Sequence, residues 1–120
     1  MKLLPTVSEI IKKKNKRKRR LQNTLEILKT ILKDLGALKI ILFGSFARDE
    51  IDVYSDLDLL VIMPSNMTGK EWMNLIYETI EVGTGTDIIV YNFEEFNDKR
   101  PTSSFLDNII KNGKVIYEKT

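Results

Sequence analysis

The sequence predicts an α/β or α+β domain in which helices flank a small β-sheet. Apolar residues recur at helical spacing in some segments, and short continuous apolar runs alternate with those segments. With 120 residues, the chain is long enough for one folded unit with its own core. Its 42% hydrophobic and 30% charged residues are typical of a soluble globular protein.

A long N-terminal helix is the first predicted element. Thr6 and Glu9 have the spacing of a capping box, and Gly36 stands where a C-terminal glycine cap belongs. Apolar residues in its second half form one stripe, namely Leu21, Leu25, Leu28, Ile31, Leu32 and Leu35. The pattern allows two helices or one helix whose first half stands off the core, and we favour the single helix. We therefore divide the chain into an extension (residues 1–36) and a domain (residues 37–120).

Four short apolar runs predict strands, at Leu38 to Phe43, Asp56 to Met63, Thr86 to Tyr91 and Val115 to Tyr117. Between them, Thr68 and Glu71 have capping-box spacing and predict the start of a second helix. Thr102 or Ser103 is expected to cap a last helix, which ends at Gly113. The polar segment from Asn92 to Pro101 is interpreted as a loop with at most one helical turn.

One segment carries much of the positive charge. Lys12 to Arg20 (the basic segment, residues 12–20) holds 8 of the 19 basic residues, so that 11 basic residues face 17 acidic ones elsewhere. This segment is either a solvated helix face or an electrostatic patch for nucleic acid or an acidic partner. It contains no aromatic residue, so base stacking is not indicated.

Residue types that are absent restrict the chemistry. The chain has no cysteine and no histidine, which excludes disulfides, Ser-His-Asp and Cys-His catalysis, and zinc sites built on those ligands. Acidic side chains remain as metal ligands, and they suit hard cations such as Mg²⁺. The sequence has no apolar run long enough to span a bilayer and no cleavable leader, so we expect a cytoplasmic protein.

The candidate site combines a small turn with three acids. Gly44 and Ser45 end one predicted strand, Asp56 and Asp58 open the next, and Asp87 opens a third. Asp56 and Asp58 share a face because side chains alternate along a strand, and Asp87 joins them if its strand pairs in parallel. Three adjacent carboxylates repel one another unless a cation lies between them. The pattern predicts a metal and phosphate site, although surface strand ends carry similar acids without that role.

These motifs resemble the DNA polymerase beta-like nucleotidyltransferase superfamily. The segment GSFAR starts at Gly44, ten residues separate Ser45 from Asp56, and the segment DLD starts at Asp56. These two segments match the G-S…D-x-D signature of the superfamily. The segment TDIIVY contains its later acid, Asp87. The short length and the ending FLDNIIKNGKVIYE are similar to minimal nucleotidyltransferase (MNT) domains. The resemblance covers Leu38 to Glu118 and implies a mixed sheet flanked by helices. It departs at Asp49, where the family commonly has glycine, and we expect this side chain to point to solvent.

The resemblance also implies a function. Mg²⁺, expected as two ions, would be held by Asp56, Asp58 and Asp87, which are also the implied catalytic residues. ATP would be the substrate, with its phosphates at Gly44 and Ser45. From its charge and position alone, Arg48 is a weaker candidate for neutralising the charge on those phosphates. Many MNT proteins are antitoxins that transfer AMP to a tyrosine of a small helical HEPN toxin. Two other hypotheses stay open: a non-catalytic module that neutralises a toxin by contact, and a nucleic-acid-binding protein. The sequence also leaves self-association, the nucleotide and the acceptor open.

Overall fold

The computed structural model describes residues 4, 6–48, 57–80 and 86–120. The helices in this part of the chain are α1 (Val7–Leu35), α2 (Gly44–Ala47), α3 (Gly69–Thr79), α4 (Phe93–Lys99) and α5 (Ser104–Asn112). The strands are β1 (Lys39–Phe43), β2 (Leu57–Met63), β3 (Thr86–Asn92) and β4 (Lys114–Glu118). They form one sheet in the order β3-β2-β1-β4, in which β2 and β3 are parallel and the other pairs antiparallel. The predicted mixed sheet with flanking helices is confirmed.

The N-terminal helix is continuous, as predicted. The Thr6 hydroxyl accepts a hydrogen bond from the Glu9 N–H (3.2 Å), and Gly36 ends the helix in the left-handed region at φ 108°. Among the helices that the structure describes, none has both the length and the apolar character needed to cross a membrane.

Only the second half of α1 packs on the sheet. Its buried residues are Leu21, Leu25, Leu28 and Leu32. If the apolar stripe continued on the same face before Leu21, its next positions would be residues 18 and 14, and both are lysine. Lysine is rarely buried without a partner, so the stripe ends there and the first half of the helix stands off the core. Whether residues 1–36 form a unit separate from residues 37–120 stays a prediction.

The sheet is covered on both faces, which explains its nearly continuous apolar strands. One face of β2, including Leu57 and Leu59, belongs to the larger core cluster, together with residues of α1 and α3. The other face, including Leu60 and Ile62, belongs to a second cluster with residues of α4 and α5. Asp58 shares the side-chain direction of Leu60, so it projects on the α4 and α5 side.

The segment predicted as a polar loop is a helix, and that prediction was wrong. The Asn92 side chain accepts a hydrogen bond from the Glu95 N–H (2.8 Å), and the Glu95 carboxylate accepts one from the Asn92 N–H (2.8 Å). This capping box starts α4, and Phe96 fixes the helix to the core. The Asn92 and Glu95 spacing was the sequence signal for this helix. The other predicted caps, at Thr68 and Ser103, are confirmed.

We expect Asn92→Ala to lower the free energy of unfolding by about 2 kcal/mol. Asn92 is buried and also donates a hydrogen bond to the Met67 carbonyl (3.0 Å), so alanine removes a cap and leaves a partly buried acceptor unpaired. Ser103→Ala removes only a cap, at the start of α5, and should cost about 1 kcal/mol. Urea unfolding of both variants measures the difference, and equal losses would contradict the second role of Asn92.

Candidate functional site

One end of the sheet brings together those predicted site residues that the structure describes. Because β1 is antiparallel to β2 and β2 is parallel to β3, the end of β1 lies beside the starts of β2 and β3. Phe43 pairs with Asp58, and Asp58 pairs with Asp87. The two aspartates therefore sit on neighbouring strands, about 4.8 Å apart in backbone spacing, with side chains on the same face. The predicted parallel pairing is confirmed, and we call this edge the acidic edge.

Gly44 lies against one of these carboxylates. Its φ of +78° is a conformation that residues with a Cβ rarely adopt. A Cβ built at this position would overlap the nearer Asp58 oxygen and lie 3.2 Å from the Asp58 Cγ. The backbone thus turns from β1 into α2 in direct contact with the Asp58 carboxylate, and only glycine leaves room for that contact.

The remaining turn residues lie on the short helix α2. Ser45 is its second residue, and Arg48 ends it, exposed, with its N–H donating to the Gly44 carbonyl (3.3 Å). Phe43, which precedes the helix, provides no side-chain cap to the backbone N–H groups that follow. Glycine, serine and arginine are therefore within one helical turn of each other and border the acidic edge.

Two residues of the sequence prediction lie outside the described part of the chain, Asp56 and Asp49. Asp56 directly precedes β2, while the orientation expected for Asp49 stays a prediction. Among the described residues, no group of three or more His, Cys, Asp or Glu side chains is close enough to hold a metal ion. The metal-binding and catalytic roles that the sequence predicts for the aspartates therefore stay predictions.

The donor chemistry of the acidic edge fits a hard divalent cation. Asp58 is partly exposed and Asp87 is exposed, so both carboxylates are accessible from solvent. Side by side on neighbouring strands, two like charges destabilise the sheet by a few tenths of a kcal/mol or more. A cation bound between the two carboxylates makes their proximity stabilising instead of destabilising, and carboxylate oxygens are the protein ligands that Mg²⁺ prefers.

A small cavity beside the turn involves residues that the sequence reasoning missed. It has a volume of about 110 Å³ and lies between Gly44 with Arg48 on one side and α5 on the other. Phe105, Asn108 and Asn112 line its α5 side, and the Phe105 ring meets the Phe43 ring edge to face at 6.2 Å. Phe105 is 50% exposed, so its ring is accessible from solvent at this cavity.

Two larger cavities lie away from the acidic edge. One, of about 520 Å³, is at the opposite end of β2, where Ile62, Arg100 and Lys119 line it. The other, of about 530 Å³, lies at the turn between α4 and α5, around Pro101 and Asp107. Neither cavity is lined by Asp58 or Asp87, so these acids and the glycine turn, rather than cavity size, locate the candidate site.

Comparison with known proteins identifies the class. Residues 26–120 match the family described as "Polymerase beta, Nucleotidyltransferase", and the chain belongs to that family. Two proteins of Methanocaldococcus jannaschii, each named "Putative protein adenylyltransferase", are similar in sequence. One is 30% identical over 95 residues, covering 74% of this chain and 94% of its own length. The other is 34% identical over 80 residues, covering 66% and 77%.

A comparison of folds points to the same class of protein. A solved structure of a "putative nucleotidyltransferase" from Sulfolobus solfataricus superposes with a TM-score of 0.63, covering 89% of this chain and 88% of that one. At 16% identity this match shows the fold alone. Family and fold together make the chain a nucleotidyltransferase.

Proposed function

We propose that the chain transfers a nucleoside monophosphate, AMP from ATP, to a hydroxyl group of another protein. The observation that carries this proposal is the pairing of Asp58 with Asp87 beside the Gly44 turn. The names of the two M. jannaschii relatives support a protein acceptor. The resemblance to MNT antitoxins suggests a tyrosine of a HEPN-type toxin, and a cytoplasmic location is expected with it.

Different residues of the chain are proposed to bind the metal and the phosphates. Asp56, Asp58 and Asp87 would hold Mg²⁺, which when bound neutralises charge on the phosphates during transfer. Gly44 lets the backbone approach the triphosphate beside the Asp58 carboxylate. Arg48, exposed one turn later, adds a positive charge on the same side.

The transfer step makes one bond and breaks one. The acceptor oxygen bonds to the α-phosphorus while the bond from that phosphorus to the β-phosphate oxygen breaks, and pyrophosphate leaves. The proton of the acceptor hydroxyl goes to a carboxylate. We assign that role to Asp87, because it is exposed to an arriving protein whereas Asp58 lies against the Gly44 backbone.

We place the base of the nucleotide against the exposed Phe105 ring, at the rim of the small cavity between Gly44 and α5, which is too small to enclose a nucleoside. We expect Phe105→Ala to raise the KM for ATP about 10-fold with little change in melting temperature, because stacking on an aromatic ring is worth about 1–3 kcal/mol per base. Phe93→Ala is the matched control, since Phe93 is 51% exposed but lines the cavity at the opposite end of β2. Equal effects of the two substitutions on KM would contradict this placement.

The position of the label in ATP decides the reaction type. We would incubate the chain and a co-purified partner protein with Mg²⁺ and with ATP labelled at either the α- or the γ-phosphate. The proposal requires transfer of the α-label alone, a mass increase of one AMP on a hydroxyl residue of the partner, and no transfer after chelation of Mg²⁺. Transfer of the γ-label would indicate phosphorylation instead.

A non-catalytic module is the alternative, in which contact alone neutralises the partner. The pairing of Asp58 with Asp87, which the resemblance assigns to the metal-binding acids, argues for catalysis. Neutralisation of the partner that persists without ATP, and in variants lacking both carboxylates, would favour contact alone.

A further inference from the structure

The basic segment is the strongest feature that nucleotidyl transfer does not explain. It lies before residue 26, where the match to the family begins. No acidic residue occurs between Ile10 and Leu25, and most of the segment is exposed. The motif residues of the site all lie downstream of it, so the segment is an addition to the family's common domain.

The direction of α1 places this segment next to the site. The C-terminal end of α1 lies at the far edge of the sheet, where Gly36 approaches Pro64 and the Leu38 N–H donates to the Ile62 carbonyl (2.8 Å). The four buried leucines of α1 belong to the core cluster on one face of the sheet, so the helix runs back across that face from its C-terminal end. From Leu21 to Leu32 they span about 16 Å of helix, close to the length of β1. Residues before Leu21 are therefore expected to extend past the end of the sheet that carries the acids.

The positive charge surrounds the helix rather than marking a single stripe. Successive residues of an α-helix are about 100° apart, so eight cations in nine positions point in all directions. On one side, four of them line a depression of about 220 Å³, namely Lys13, Lys16, Arg17 and Arg20. Their spacing is i, i+3, i+4 and i+7, which forms a continuous basic face along two helical turns.

We propose that the basic segment binds the phosphate backbone of a nucleic-acid duplex and holds it beside the acidic edge. Lysine and arginine contacts to regularly spaced phosphates are the main source of such binding. Because aromatic residues are absent from the segment, stacking on single-stranded bases contributes nothing to it. Duplex RNA and duplex DNA share this phosphate chemistry, and the experiment distinguishes them.

Two other partners fit the segment less well. Protein interfaces are depleted of lysine, which makes up five of residues 12–20, and are enriched in aromatic anchors, which the segment does not contain; its three arginines suit either kind of partner. A helix on a membrane surface inserts an apolar face, whereas cations surround this helix on every side. The exposed apolar residues of α1 lie outside the segment, at Val7, Ile10, Ile11 and Ile27.

The test uses the full chain carrying Asp58→Asn and Asp87→Asn, so that binding is measured independently of transfer. Fluorescence anisotropy would follow a labelled RNA duplex, the matching DNA duplex and a single strand at several salt concentrations. If four or more phosphates are contacted, affinity for a duplex should fall at least about 100-fold between 50 and 200 mM salt. Poly-glutamate and anionic vesicles are the competing anions.

A charge-matched pair of variants isolates the segment. In one, Lys13, Lys16, Arg17 and Arg20 are changed to Gln, which keeps helix propensity high. In the other, four exposed lysines of the domain are changed to Gln, namely Lys70, Lys111, Lys114 and Lys119. We expect only the first variant to lose duplex affinity, by about 100-fold at low salt, and to show a shallower dependence on salt.

Several results would overturn the proposal. These are absent duplex binding, equal affinity for poly-glutamate or vesicles, a preference for the single strand, and equal losses in the two charge variants. Whichever duplex binds more tightly identifies the partner as RNA or as DNA. Duplex binding that survives in the Asp58 and Asp87 variant keeps this result separate from any failure of the transfer reaction.

Discussion

Asp58→Asn and Asp87→Asn will each lower the rate of nucleotidyl transfer by about 100-fold or more without destabilising the fold. The two residues are partners on parallel strands, with their side chains on one face. Asparagine keeps the shape of the side chain but removes the charge that a cation requires. In the absence of Mg²⁺, the same change removes repulsion between neighbouring carboxylates, so the melting temperature should stay constant or rise by a few degrees.

The combination of lost activity and retained stability separates a binding role from a structural one. Asp98→Asn serves as the control, because Asp98 is an exposed acid on α4 away from the acidic edge. Transfer rates with ATP and melting curves with and without Mg²⁺ measure both quantities. Mg²⁺ should raise the melting temperature of the parent chain and do so less for either variant. A variant that transfers AMP at the parent rate would refute the assignment of that aspartate.

Apolar patterning carried most of the fold prediction. The central strands β1 and β2 are buried by helices on both faces, so they are short apolar runs that the sequence reveals directly. Asp58 and Asp87 lie on one face because they are direct partners on parallel strands, whereas Asp56, the third acid of the prediction, lies outside the described residues. Helix ends could be predicted where a capping side chain or a glycine stood at the right distance, as at Thr6 and Gly36.

What the sequence did not reveal depended on contacts between distant segments. The helix α4 is mostly polar, and it is fixed by one buried cap at Asn92 and one apolar residue, Phe96. Without knowledge of these tertiary contacts, such a polar segment is predicted to be a loop. Similarly, Phe105 has helical spacing with core residues, but the approach of α5 to β1 places it at the rim of a cavity. Such features require the tertiary arrangement.

The acidic edge and the basic segment have opposite charge but separate positions. The acids occupy strand starts on the α4 and α5 side, whereas α1 packs on the other face and extends past the edge. The sheet therefore separates the face on which α1 packs from the face from which the carboxylates project.

Gly44→Ala is expected to abolish most transfer activity and to lower the free energy of unfolding by about 2 kcal/mol or more. Two causes act together at this residue. The backbone has φ +78°, which strains any residue with a Cβ, and the added methyl group overlaps the Asp58 carboxylate. The carboxylate must then move, or the turn from β1 into α2 must open. Either change displaces an oxygen that is proposed to hold Mg²⁺.

Gly36→Ala separates these two causes. Gly36 also has a positive φ, at 108°, but its nearest neighbour, the Pro64 Cγ, would be at an ordinary contact distance of 3.7 Å from a Cβ. This variant should lose about 1 kcal/mol of stability from backbone strain and keep its transfer activity at temperatures where it is folded. Urea unfolding and transfer rates of both variants at low temperature provide the comparison. If the two glycine variants lose activity equally, backbone strain rather than contact with Asp58 explains the need for Gly44. If only Gly44→Ala is inactive while folded, the close approach of backbone and carboxylate is part of the site.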